Sequence, residues 1–262
     1  MATRTSYDKG TFSWVDLAAH DMDKAQEFYG KVFGWACETM DTQGGPPYAE
    51  FRLEGKGAGG LGELNEAMKS QGIPPMWNSY ISVRDIEGVT AKCTELGGTV
   101  TVPAMKVLEA GSLAFIQDPT GGNVGLWQPD QHAGAGVVNE PGSFCWNELA
   151  TRDVEKAREF YGKLLDWDYE EKDGTPSKYY IIKNNGNPNG GLMQMTEEWG
   201  DIPPHWMVYF ASSDIEATAK SVEQHGGKIN VPPFDIGVGK IAVVADPQGA
   251  VFSLIQLAQP PA

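Results

Sequence analysis

The spacing of apolar residues changes period at Asp21. From Phe12 to Ala18 bulky and small side chains alternate, the two-residue repeat of a strand. Ala25, Phe28, Tyr29, Val32 and Phe33 then fall at i, i+3, i+4, i+7 and i+8, one face of a helix. Asp21 stands where its carboxylate accepts from the first free N–H groups of that helix. A second helix is predicted to start at Asp85 and to carry Ile86, Val89, Cys93 and Leu96. It stops at Gly97-Gly98, since glycine fits the left-handed cap. Strand-like stretches follow at 99–103, 112–117 and 122–128. Three short strands after each helix favour an α+β fold with mostly antiparallel sheets over a parallel one.

The whole pattern then recurs. FSWVDLAAHDMDKAQEFYGKVFGW from Phe12 returns as FCWNELATRDVEKAREFYGKLLDW from Phe144, an offset of 132. IPPMWNSYISVRDIE returns as IPPHWMVYFASSDIE, with Pro74 and Pro203 offset by 129, and DPTGGNVGLWQP pairs with DPQGAVFSLIQL. Short deletions between matched blocks account for the drift and belong in loops. The chain is two homologous modules, 10–129 and 142–258, joined by a linker at 130–141 rich in Gly, Ala and Pro.

Composition removes several partner classes. The formal charge of −15 repels polyanions, which argues against nucleic acid and anionic membranes as partners. No apolar run reaches a membrane span, and the opening MATRTSYDKG lacks the apolar stretch of a secretory signal. Cys37, Cys93 and Cys145 are widely spaced with no CxxC pairing, as suits a reducing compartment. Cytoplasmic residence is the expectation. A monomer of two modules and a homodimer both remain open. GKGAGGLGE at 55–63 opens no helix, so it is not a phosphate cradle, and NNGNPNGGL at 184–192 reads as a turn.

An opening strand, then D-x-x-x-A-x-x-F-Y-x-x-x-x-G/D-W, a helix ending in Gly-Gly, and DP-x-G near the module's end resembles the vicinal-oxygen-chelate superfamily of glyoxalases, bleomycin-resistance proteins and dioxygenases. Trp146 to Asp153, W-x-E-L-x-T-x-D, is most similar to its tandem, actinobacterial-type subgroup. The resemblance implies that paired βαβββ units curl each module into an eight-stranded cup, with ligand on the concave face. It also implies metal-ligand positions seven residues before each helix-capping Asp and seven after the Asp of DP-x-G. Those positions hold Trp14, Asn78 and Gly125 in module one, and Trp146, Met207 and Ser253 in module two. None is a carboxylate or an imidazole, so no metal and no cofactor are expected. Glu63 and Gln194 lie near a fourth-strand position that some members use. Of four histidines, His20 precedes a helix, His132 is in the linker, His225 ends a helix, and only His205 lies near a cup strand.

Residues two apart on a strand share a face. Trp14 therefore brings Phe12 and Asp16, and Trp146 brings Phe144 and Glu148. By the same rule Asn78 brings Tyr80, Met207 brings His205 and Tyr209, and Gly125 brings Asn123 and Trp127. Cys145 faces away as a structural thiol. These aromatic walls, with one acid each, fit a small organic molecule held by stacking and one or two polar anchors. Asp16 and Glu148 are the candidate catalytic acids or bases, for proton abstraction beside a carbonyl. An enolate formed without metal needs another electrophile, and no arginine stands at these positions. Three alternatives stand beside this reading: a metal-dependent glyoxalase-type lyase or dioxygenase with a displaced site, an antibiotic- or metabolite-sequestering protein, and a cup filled by Trp14 and Trp146 as core.

Overall fold

The structure of the protein is a computed structural model and describes residues 3–258. Module one runs β1 (Phe12–Ala19), α1 (Met22–Phe33), β2 (Ala36–Thr39), β3 (Tyr48–Leu53), β4 (Lys56–Glu63), α2 (Glu66–Ser70), β5 (Met76–Ser82), α3 (Ile86–Glu95), β6 (Thr99–Val107), β7 (Gly111–Gln117) and β8 (Asn123–Pro129). Module two runs β9 (Phe144–Thr151), α4 (Val154–Leu165), β10 (Asp168–Glu171), β11 (Tyr179–Asn184), β12 (Asn187–Gln194), a 3-10 turn (Glu197–Trp199), β13 (His205–Ala211), α5 (Ile215–Gln224), β14 (Lys228–Asp235), β15 (Gly239–Ala245) and β16 (Val251–Leu257).

Each module forms one eight-stranded sheet, ordered β2-β3-β4-β1-β5-β8-β7-β6 and β10-β11-β12-β9-β13-β16-β15-β14. In each, the pairings β4–β1 and β5–β8, or β12–β9 and β13–β16, are parallel and the rest antiparallel. The α+β expectation therefore holds. The four long helices start alike: Asp21, Asp85, Asp153 and Asp214 each accept a hydrogen bond from the backbone N–H three residues on. Gly34 takes the left-handed conformation (φ 71°) that ends α1.

The helix-bearing faces of the two sheets pack together, with α1 against α5 and α3 against α4. Aromatic rings fill the junction. Phe210 of module two lies against Phe33, Trp35 and Trp77 of module one, at centroid distances of 5.2, 5.5 and 5.0 Å. The tyrosine of each Phe-Tyr-Gly triplet crosses over. Tyr161 Oη donates to Asp118 Oδ2 (2.9 Å), and Tyr29 Oη donates to Asp246 Oδ2 (3.3 Å). Trp206 and Trp77 in turn donate to those tyrosine oxygens, both at 3.0 Å. The aspartates are those of the DP-x-G turns, where Asp118 also accepts from the N–H groups of Thr120 and Gly122.

Phe12 and Phe144 do not face the cups. On β1, Trp14 pairs with Tyr80 but Phe12 pairs with Ile81, so an extra residue is inserted and the alternation reverses. Phe12 turns to the junction and packs on Trp206 (5.1 Å) and Trp167 (5.8 Å). The same slip on β9 sets Phe144 opposite Phe210, on the junction side.

Candidate functional site

On the face of each sheet turned away from the junction, two rows of paired residues cross at the first strand. In module one Trp14, Tyr80 and Gly125 are neighbours on β1, β5 and β8, while Asp16 lies between Gly60 on β4 and Asn78 on β5. In module two the first row is Trp146, Tyr209 and Ser253, and Glu148 lies between Gly191 and Met207. Trp14, Asp16, Asn78 and Tyr80 thus converge in one cup, and Trp146, Glu148, Met207, Tyr209 and Ser253 in the other. Trp127 stands at the margin of the first cup, and His205 at the rim of the second, where its Nδ1 approaches Pro203 O.

The polar groups at the centre are differently wired. Asp16 is partly exposed; Asn78 Nδ2 donates to its Oδ1 (2.9 Å) and Tyr80 Oη to its Oδ2 (2.8 Å). Glu148, only 6% exposed, accepts from Tyr209 Oη on Oε1 and from Tyr179 Oη on Oε2, both at 2.8 Å. Loss of water raises both carboxyls above their ordinary range, and the bonds from Asn78 and Tyr80, or Tyr209 and Tyr179, offset part of that rise. Each then moves towards the range in which a carboxyl group takes and returns a proton at neutral pH.

Alternation along the cup strands pointed to neither Tyr48 on β3 nor Tyr179 on β11. They occupy matched places in the repeat, offset by 131, and that coincidence of two tyrosines is the signal that marks them. Trp14 Nε1 donates to Tyr48 Oη, and Trp146 Nε1 to Tyr179 Oη, both at 3.2 Å. Glycine faces each ring. A Cβ on Gly60 would lie 1.9 Å from Tyr48 Oη, and one on Gly191 would lie 2.2 Å from Tyr179 Oη. A Cβ on Gly125 would likewise lie 2.3 Å from the Tyr80 ring, so glycine at that position makes room for an aromatic side chain.

The linker also reaches the site. His132 sets its ring against Trp14, edge to face at 4.5 Å, while its carbonyl accepts from Trp127 Nε1 (2.8 Å). Trp14 is left 5% exposed, whereas Trp146 is partly open. The indole end of cup one is therefore covered, and its acid end, with Tyr48 and Asn78, is only partly buried. A groove of about 630 Å³ outside α4, lined by Glu155, Arg158, Glu159 and Lys163, is far from this chemistry. Ion pairs Arg158–Glu155 and Lys163–Glu159 occupy its walls.

The donor set does not suit a divalent metal. Among the described residues no three His, Cys, Asp or Glu side chains converge. Glu63 pairs in register with Ala19, on the opposite face from Asp16, and is held by Lys69 at 2.7 Å. Gln194 Nε2 donates to Arg152 O beside the start of α4.

The model of the Glyoxalase/Bleomycin resistance protein/Dioxygenase superfamily matches residues 11–125 and again 133–254. The chain belongs to that superfamily. Within it, the chain is 38% identical over 259 residues to "Putative glyoxylase CFP32" of Mycobacterium tuberculosis, covering 98% of each chain. It is 29% identical to the anthracycline biosynthesis protein DauV of Streptomyces sp. strain C5, covering 97% of this chain and 95% of that one. Among solved structures, the 2,3-dioxygenase LapB from Pseudomonas sp. KL28 shares the fold, with a TM-score of 0.65 at 15% identity over 97% of this chain and 95% of LapB. Superfamily membership accounts for the tandem cups. No helix among the described residues is long and apolar enough to cross a membrane.

Proposed function

We propose that the protein binds a small organic molecule in the cup of module one without a metal, and that Asp16 exchanges a proton with it in a glyoxalase-like step. The observation that carries this reading is the partial exposure of Asp16 on an aromatic floor, its carboxyl oriented by Tyr80 and Asn78. The matching Glu148 is enclosed, each oxygen bound by a tyrosine. An acid with raised proton affinity, fixed in orientation and open on one side, is suited to take a proton from carbon beside a carbonyl. Phe115, partly exposed beside Tyr80, would supply the apolar contact, with Trp14 and Trp127 forming the wall beneath His132, and Trp146, Met207, His205 and Ser253 would line the second cup.

Two measurements test it. Elemental analysis of dialysed protein should find no stoichiometric Zn, Ni, Mn or Fe, and chelator should leave ligand-induced thermal shifts unchanged. Solvent deuterium incorporation into small aryl ketones, followed by NMR, should fall by ~100-fold or more in Asp16→Asn. One bound metal per module, or an Asp16→Asn protein exchanging protons at the native rate, defeats the proposal.

A further inference from the structure

We propose that Tyr48 donates a hydrogen bond to a ligand carbonyl oxygen, which makes the cup of module one a site for uncharged ketones and aldehydes. The inference rests on the reading that module one is the working cup, and it supplies the electrophile absent from the family's metal positions. Tyr48 Oη accepts from Trp14 Nε1, and among the described residues none accepts the proton of Tyr48 itself. The comparison with module two isolates the point. Tyr179 receives the same indole N–H but gives its proton to Glu148 Oε2 at 2.8 Å. Asp16 is one methylene shorter than Glu148 and takes Asn78 as its second donor, so the Tyr48 hydroxyl proton is left without an acceptor beside Asp16.

The Tyr48 ring lies over Gly60, where only a residue without a Cβ lets its hydroxyl sit beside Asp16. The point where a Gly60 Cβ would lie is 1.9 Å from Tyr48 Oη and 2.9 Å from Asp16 Cβ, so donor and acid flank one glycine. A carbonyl oxygen on Tyr48 places the adjacent carbon or heteroatom towards Asp16. Charge narrows the class further. Glu50 pairs with Gly60 on the far side from Asp16 and is buried, so two acids flank the glycine. Arg52, the nearby cation, is taken by Glu38 (2.6 Å) and Glu50 (3.1 Å). A carboxylate or phosphate ligand would meet two acids whose neighbouring guanidinium, Arg52, is already engaged.

The test compares three probes of one shape on the full chain by isothermal titration: 2-tetralone, its hydrocarbon tetralin, and the anionic 1,2,3,4-tetrahydro-2-naphthoate. Native protein should bind the ketone about 10-fold more tightly than either of the others, the usual weight of one good hydrogen bond in a dry site. Tyr48→Phe should abolish that preference while still binding tetralin, and Tyr179→Phe should retain it. A ketone preference that survives Tyr48→Phe, or is lost in Tyr179→Phe instead, overturns the assignment. Equal native affinity for ketone and hydrocarbon overturns it as well and leaves the metal-free cup standing. Native protein that binds none of the three at millimolar concentration overturns both.

Discussion

At the scale of single residues, one methylene separates the two cups. Glu148 reaches Tyr179 and Tyr209 together, whereas Asp16 stops at Tyr80 and draws on Asn78, where module two has Met207. Length and partner have changed in step, so each carboxyl still has two donors. Enclosure without a cation raises the proton affinity of Glu148. The sign for stability follows from that rise. A carboxyl that holds its proton more tightly when folded contributes stability that is complete below its unfolded value of about 4.3, and loses it as pH climbs through the higher folded value. Glu148→Gln should therefore flatten the fall in urea midpoint as pH rises above that unfolded value. An unchanged slope would mean that Glu148 is not the titrating group. Gly60→Ala tests a different property, the room that glycine leaves for the Tyr48 ring. With a Cβ 1.9 Å from Tyr48 Oη the ring has to move, which should cost about 1–3 kcal/mol on denaturant unfolding.

At the scale of elements, the periods of strand and helix were readable because they repeat, and the places where they failed have local causes. Alternation placed Trp14, Asp16, Asn78 and Tyr80 on one face, and pairing across β1 and β5 brings them together. It misplaced Phe12 and Phe144, because a bulge is a single inserted residue that leaves no mark on hydrophobic spacing. Tyr48 and Tyr179 escaped for a different reason: they stand on strands whose facing depends on pairing with β4 and β12. The linker does more than connect the modules. Its small residues read as a passive connection, yet backbone bonds from Ala135 N to Ser13 O and from Gly136 N to Gly57 O (both 2.8 Å) fasten it to module one. Burial lowers the proton affinity of His132, so its contribution is complete above the ordinary histidine range and is lost as pH falls through the depressed value. Amide exchange at 131–137 should accelerate at pH 5 relative to pH 7 after correction for intrinsic rates, and His132→Gln should remove that pH dependence.

At the scale of the whole molecule, the junction is reciprocal. Tyr29 meets Asp246 and Tyr161 meets Asp118, so the same turn and the same helix of each module exchange one bond in each direction. Tyr161→Phe should cost about 1–3 kcal/mol because Asp118 is buried and loses a donor, and Asp118→Asn combined with Tyr161→Phe should cost less than the two singles added together. Strict additivity would show that the bond carries no coupling. Reciprocity of this kind is the geometry of a two-fold dimer, in which residue i meets j while j meets i. The covalent connection between β8 and β9 then acts as a tether that sets a high local concentration for two halves already matched to each other. A dimer of identical subunits must alter both of its sites whenever its gene changes one. Joined in a single reading frame, the halves are released from that constraint, and one cup can lose a proton acceptor's access or gain a methylene while the other keeps its chemistry.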